Sequence, residues 1–110
     1  MKQYVVDEIR PDDFSVLKSY LDEYYGPAPL DGIYRVPLAP AFYSECQRAH
    51  TDCAPFYFAL ELKSDALICE FLVRSDNRIR CDCIANASPD QRNWLIELVD
   101  SIFDRLSIVA

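Results

Sequence analysis

Three residues with reactive side chains fall within one short stretch, Cys46, His50 and Cys53. Cys46 and His50 are four positions apart, so on a helix their side chains are neighbours. A thiol beside an imidazole can serve as nucleophile and base, or the two can ligate a metal. His50 is the only histidine, so any chemistry that needs an imidazole must use it. Asp52 is the only carboxylate close by, and no glycine loop follows to hold an oxyanion. The competing reading is a histidine set near the negative end of a helix, which is favourable by itself. That structural role is the expectation, with no catalytic residue, no metal and no cofactor.

Cys69, Cys81 and Cys83 fall in two segments of alternating polarity. A hairpin between those segments predicts all three on one apolar face, with Cys69 directly across from Cys83. A cross-strand disulfide, a redox pair or part of a metal site are the functional readings. The expected one is that they are small buried hydrophobes, since Cys-x-Cys in mid-strand has no second matching pair. Five cysteines are an odd number, and reduced thiols are expected for an intracellular chain.

The charged residues on the opposite face make the candidate ligand site: Glu61, Glu70, Arg74, Arg80 and Asp82. The predicted register sets Glu70 against Asp82, a like-charged pair that needs a cation, and Arg80 lies diagonal to Glu70. Carboxylates held together also raise a pKa, as acid–base chemistry uses. The run Arg74 to Arg80 is the one basic spot in an acidic chain, suited to a phosphate or carboxylate through guanidinium forks.

Three apolar-rich strands must position these groups. Phe56–Leu62 is apolar at every even position, while Leu67–Val73 and Ile79–Ala85 are apolar at odd ones. A two-residue turn at Ser64-Asp65 pairs Leu62 with Leu67, Leu60 with Cys69, Phe58 with Phe71 and Phe56 with Val73. A three-residue loop at 75–77 then pairs Val73 with Ile79. Around this meander the spacing predicts a strand over Tyr4–Ile9 and a helix from Pro11 to Gly26 with Phe14, Leu17, Leu21 and Tyr24 inward. It also predicts a short strand over Gly32–Val36 and a helix from Pro40 to His50. Ser88-Pro89-Asp90-Gln91 is a capping box opening a last helix with an apolar stripe from Leu95 to Leu106. Trp94 and Ile96 make that stripe wider than one sheet face requires, which points to a neighbouring helix or a second subunit.

The 110 residues, 51% of them hydrophobic, suffice for a single compact domain. The fold expected is α+β, a mainly antiparallel sheet with helices on one face, a two-layer sandwich in the order β-α-(β)-α-β-β-β-α. A net charge of −7 argues against nucleic acid and anionic membranes as partners. Two glycines, Gly26 and Gly32, exclude phosphate loops, dinucleotide fingerprints and the nucleophile elbow, which need clustered glycines. No apolar run approaches the ~20 residues of a membrane span, and the amino terminus lacks the apolar core of a secretion signal. The chain is expected to be cytoplasmic, and a non-enzymatic interaction module that associates with itself or another protein. A small-ligand binding protein or minor enzyme on the charged face is the first alternative. A thiol-redox or zinc-binding protein is the second.

Overall fold

The computed structural model describes residues 2–26, 32–77 and 80–108. In chain order they form β1 (Gln3–Val6), α1 (Pro11–Tyr25), β2 (Ile33–Pro37), α2 (Glu45–Ala49), β3 (Phe56–Leu62), β4 (Leu67–Ser75), β5 (Ala85–Asn86) and α3 (Pro89–Arg105). Short 3-10 turns at Pro40–Phe42 and Thr51–Cys53 flank α2. The architecture is α+β, as the sequence pattern implies. The sheet runs β1-β4-β3-β2, every pairing is antiparallel, and β5 joins β4 beyond the end of β1.

Alternation sets the faces. β3 and β4 bury every second residue along their whole length. Phe56, Phe58 and Leu60 meet Leu67, Cys69, Phe71 and Val73 in one core with Tyr34 and Val36 of β2. Leu17 and Leu21 of α1 and Leu95, Val99 and Ile102 of α3 close that core from the helical layer. Near the turn the register is the one predicted, Leu62 with Leu67 and Leu60 with Cys69. Beyond it Phe58 pairs with Val73 rather than Phe71, and Phe56 with Ser75 rather than Val73. Between these pairs β4 takes four steps (Cys69 to Val73) against two in β3 (Leu60 to Phe58). The slip of two residues is even, so it moves partners without swapping faces.

The third strand of the expected meander forms only at its end, as β5. Residues 80–84 are a loop, and only Ala85 and Asn86 pair, with Val73 and Leu72. Arg78 and Ile79, like residues 27–31, lie outside the described residues. The edge of β4 that the third strand would have used is occupied by β1, which pairs Tyr4 with Cys69 and Gln3 with Glu70. Cys69 is therefore not across from Cys83, nor Glu70 from Asp82.

Smaller departures have local causes. β1 stops at Val6 and Glu8 takes φ 56°, so Ile9 turns into the core, where it is 3% exposed. Tyr24 is 58% exposed, on the outer side of α1. The helix expected from Pro40 breaks because Ser44 caps a new one, its side chain accepting from the Gln47 N–H while Gln47 accepts from the Ser44 N–H. The broad stripe of α3 is used within the chain: Trp94 stacks on Phe58 with ring centroids 6.1 Å apart and lies 6.2 Å from Phe42. No helix among the described residues is long and apolar enough to cross a membrane.

Candidate cysteine–histidine site

The loop at 80–84 folds back onto α2 and the turn that follows it. His50 ends α2, its N–H donating to the Cys46 carbonyl, so one helical turn brings the two side chains together. His50 Nδ1 is 3.4 Å from Cys46 Sγ and 2.8 Å from Cys83 Sγ. Cys46 and Cys83 are joined as a disulfide, with Cα atoms 5.5 Å apart. Beside it the Cys53 and Cys81 sulfurs are 2.7 Å apart, and the Cys83 N–H points at Cys81 Sγ over 3.5 Å. Cys83 and Cys53 are buried, Cys46 and Cys81 half-buried, and His50 exposed, so the cluster is reached from the histidine side.

Buried glutamines hold this loop. Gln47 and Gln91 are each 3% exposed and each is the third residue of a capped helix. Gln91 Nε2 donates to Gln47 Oε1 and to the Phe42 carbonyl, both at 2.9 Å, and Gln47 Nε2 donates to the Cys83 carbonyl at 3.2 Å. Two helix starts and the cysteine loop are thereby tied in one polar network inside the core. On the other side, the Ser75 hydroxyl donates to the Cys53 carbonyl and Asn77 Nδ2 to that of Ala54, fixing the end of β4 to the Cys53 turn.

Among the described residues, the side chains grouped so that they could hold a metal are Cys46, His50 and Cys83, whose ligand atoms all lie within 4.8 Å of one another. Chemically the cluster offers soft sulfur and an imidazole, which serve disulfide exchange and zinc alike. Cys69 stands apart. It is fully buried against the core, and burial, with the Asp100 charge adding, pushes its thiol up to about 12. It is the buried hydrophobe the sequence led one to expect, whereas Cys81 and Cys83 are not on the sheet.

The charged candidate site divides. Glu61, Glu70 and Arg74 lie on the sheet face away from the helices, half-buried. Arg74 bridges Glu70 on its own strand, Nε to Oε1 at 2.9 Å, and so neutralises the carboxylate that Asp82 was expected to oppose. Arg80 and Asp82 are exposed in the cysteine loop. Arg35, which the sequence did not single out, pairs with Asp76 and lies 5.0 Å over the Tyr57 ring. With Arg74, Asn77 and Ile84 these residues line a pocket of about 280 Å³.

Sequence spacing put Cys46 beside His50 but did not bring Cys83 to them, because a strand was assigned where a loop returns. The glutamines had a visible signal. Ser44-x-x-Gln47 repeats the capping pattern of Ser88-x-x-Gln91. The chain matches no protein-family model, no curated protein and no solved structure.

Proposed function

We propose that this protein is a thiol–disulfide redox protein, with the Cys46–Cys83 bond as its reactive unit and His50 as its acid–base group. The observation that supports the reading is the imidazole nitrogen 2.8 Å from Cys83 Sγ, beside a formed disulfide. Access decides which sulfur is attacked. Cys83 is 2% exposed and Cys46 is half-buried, so an external thiolate reaches Cys46. The new bond joins the external sulfur to Cys46, the old bond breaks, and its electron pair leaves on Cys83. His50, when protonated, delivers the proton to that thiolate. A second external thiol then attacks the mixed disulfide, leaves as the oxidised pair and returns Cys46 as a thiol. In the cytoplasmic setting expected for the chain, the glutathione pool would set the resting state.

Thiol counting by mass spectrometry across a series of glutathione buffers tests this. A two-electron transition confined to Cys46 and Cys83 is expected, and His50→Ala should slow reduction about tenfold or more. Failure of the bond to form in any buffer, or an unchanged rate in His50→Ala, overturns the reading.

A second reading has its own observation. Val5, Ile68 and Ile33 form a row across the outer sheet face with Glu61 among them, and Val5 is 45% exposed. Self-association through this face suits an interaction module. Sedimentation should then show a dimer that Ile68→Arg dissociates, and a strict monomer at high concentration removes the reading.

A further inference from the structure

We infer that the reduced cluster is a zinc site, with Cys46, His50 and Cys83 as ligands and one sulfur of the Cys53–Cys81 pair as the fourth. The inference uses the same sulfurs as the redox reading but needs only that they be reduced.

Zinc asks for four soft or borderline donors in a tetrahedron, with Zn–S near ~2.3 Å and Zn–N near ~2.0 Å. Those lengths place neighbouring ligand atoms roughly 3.5 Å apart, and Cys46 Sγ and His50 Nδ1 already stand at 3.4 Å. The Cys83 sulfur belongs to the same group, all within 4.8 Å. Breaking the disulfide lets its two sulfurs move apart to the spacing a metal needs. Cys81 is two residues from Cys83 and its sulfur faces the Cys83 N–H; it stands outside the group of three, and as the fourth thiolate it would swing in once the disulfide is open. That N–H donates to a ligand sulfur, the kind of outer contact that orients metal thiolates. The carbonyl of Cys83 is fixed by Gln47, which keeps the loop at α2 when the sulfur bond is absent.

The chemistry balances simply. A dithiol reductant opens Cys46–Cys83 and is itself oxidised to a disulfide, leaving two protein thiols. Zinc ion then binds three thiols and the neutral imidazole, and three protons leave to solvent. Thiolates with an imidazole favour zinc over the hard cations, which take oxygen ligands.

Cobalt(II) titration of the whole chain, reduced and kept anaerobic, is the test. One equivalent should bring up sulfur-to-cobalt charge-transfer absorption and the visible bands of a tetrahedral ion, and added zinc should abolish both. Cys83→Ser should weaken zinc binding at least about 100-fold, beyond the loss an outer partner gives, while Cys69→Ser should leave it unchanged. If Cys83→Ser does not fold, His50→Ala at an exposed position must still shift the visible bands, since a nitrogen ligand is lost. No charge-transfer band, or an identical titration in both ligand variants, overturns the site. A missing cobalt spectrum alongside a normal disulfide transition removes the metal alone. A cobalt spectrum in a protein that never forms the disulfide removes the redox reading alone.

Discussion

Replacing Gln47 by leucine probes how the cysteine loop is held. The side chain is 3% exposed and sits between Gln91 and Cys83. Leucine fills the volume but strands an N–H of Gln91, itself 3% exposed, and the carbonyl of Cys83, at 2%. A buried polar group left without its partner costs about 1–3 kcal/mol. Two of them give about 4 kcal/mol, a large part of the ~5–15 kcal/mol that holds a typical domain together. The Ser44 N–H also loses its acceptor, but Ser44 is exposed and water can replace it. Urea unfolding followed by Trp94, the only tryptophan, should show that loss. In the Gln47→Leu/Gln91→Leu double variant the stranded amide of Gln91 is gone. The pair should therefore cost about 1–2 kcal/mol less than the sum of the singles. A single-variant loss below about 1 kcal/mol, with strictly additive effects, would show that the glutamines do not carry the loop.

Gly32→Ala should destabilise, because Gly32 has φ 76° and an added Cβ would stand 2.9 Å from the Leu62 carbonyl oxygen. The left-handed backbone alone costs about 1–2 kcal/mol in an L-residue, so an unchanged melting temperature would contradict the geometry. Stability should fall as pH rises from about 9 toward about 12, since the Cys69 thiol is raised to about 12 by burial and then Asp100. The folded state then keeps a proton that the unfolded chain releases, so this contribution is whole below the unfolded pKa and is lost upward through the folded one. Urea midpoints at high pH should flatten in Cys69→Ala. Tyr4, held near 12 first by its hydrogen bond to Asp100, acts in the same direction, and Tyr4→Phe should remove its share.

What could be read in the sequence was what alternation controls. Even residues of β3 and odd residues of β4 are inside, and a two-residue slip left that intact because the side-chain period is two. Helix starts were legible at Pro11, where the proline is followed by Asp12 and Asp13, and at Pro89, where it follows the capping Ser88. The third strand came out short, as β5 alone, for a reason local pattern does not contain. Ile79 to Ala85 alternates well enough for a strand, but β1, remote in sequence, takes the neighbouring edge of β4. Once that edge is filled, the segment is diverted toward α2, and Cys81 and Cys83 change role from sheet core to cluster. The charged site suffered from the same substitution of partner. Glu70 meets Gln3 across the ladder and Arg74 along its own strand, so no acidic pair forms.

The diversion also makes the loop depend on its chemistry. Between the end of β4 and α3 the described chain has only two paired residues, Ala85 and Asn86. What fixes residues 81–83 is the Gln47 hydrogen bond, the contact of Cys81 with Cys53, and the Cys46–Cys83 bond. That bond spans a separation of 37 residues, and the chain entropy it removes from the unfolded state corresponds to about 4 kcal/mol. Reduction without metal forfeits this term and leaves the glutamine bond and the Cys81–Cys53 contact to hold the loop. At the proposed site zinc, by binding the folded arrangement and not the open chain, would restore a constraint between the same residues. Under the two proposals the reduced, metal-free chain is expected to be the least stable of three states, with the oxidised and zinc-loaded chains both above it. Both proposals thus make the loop that left the sheet the part of the fold whose order would follow the redox and metal state of its sulfurs.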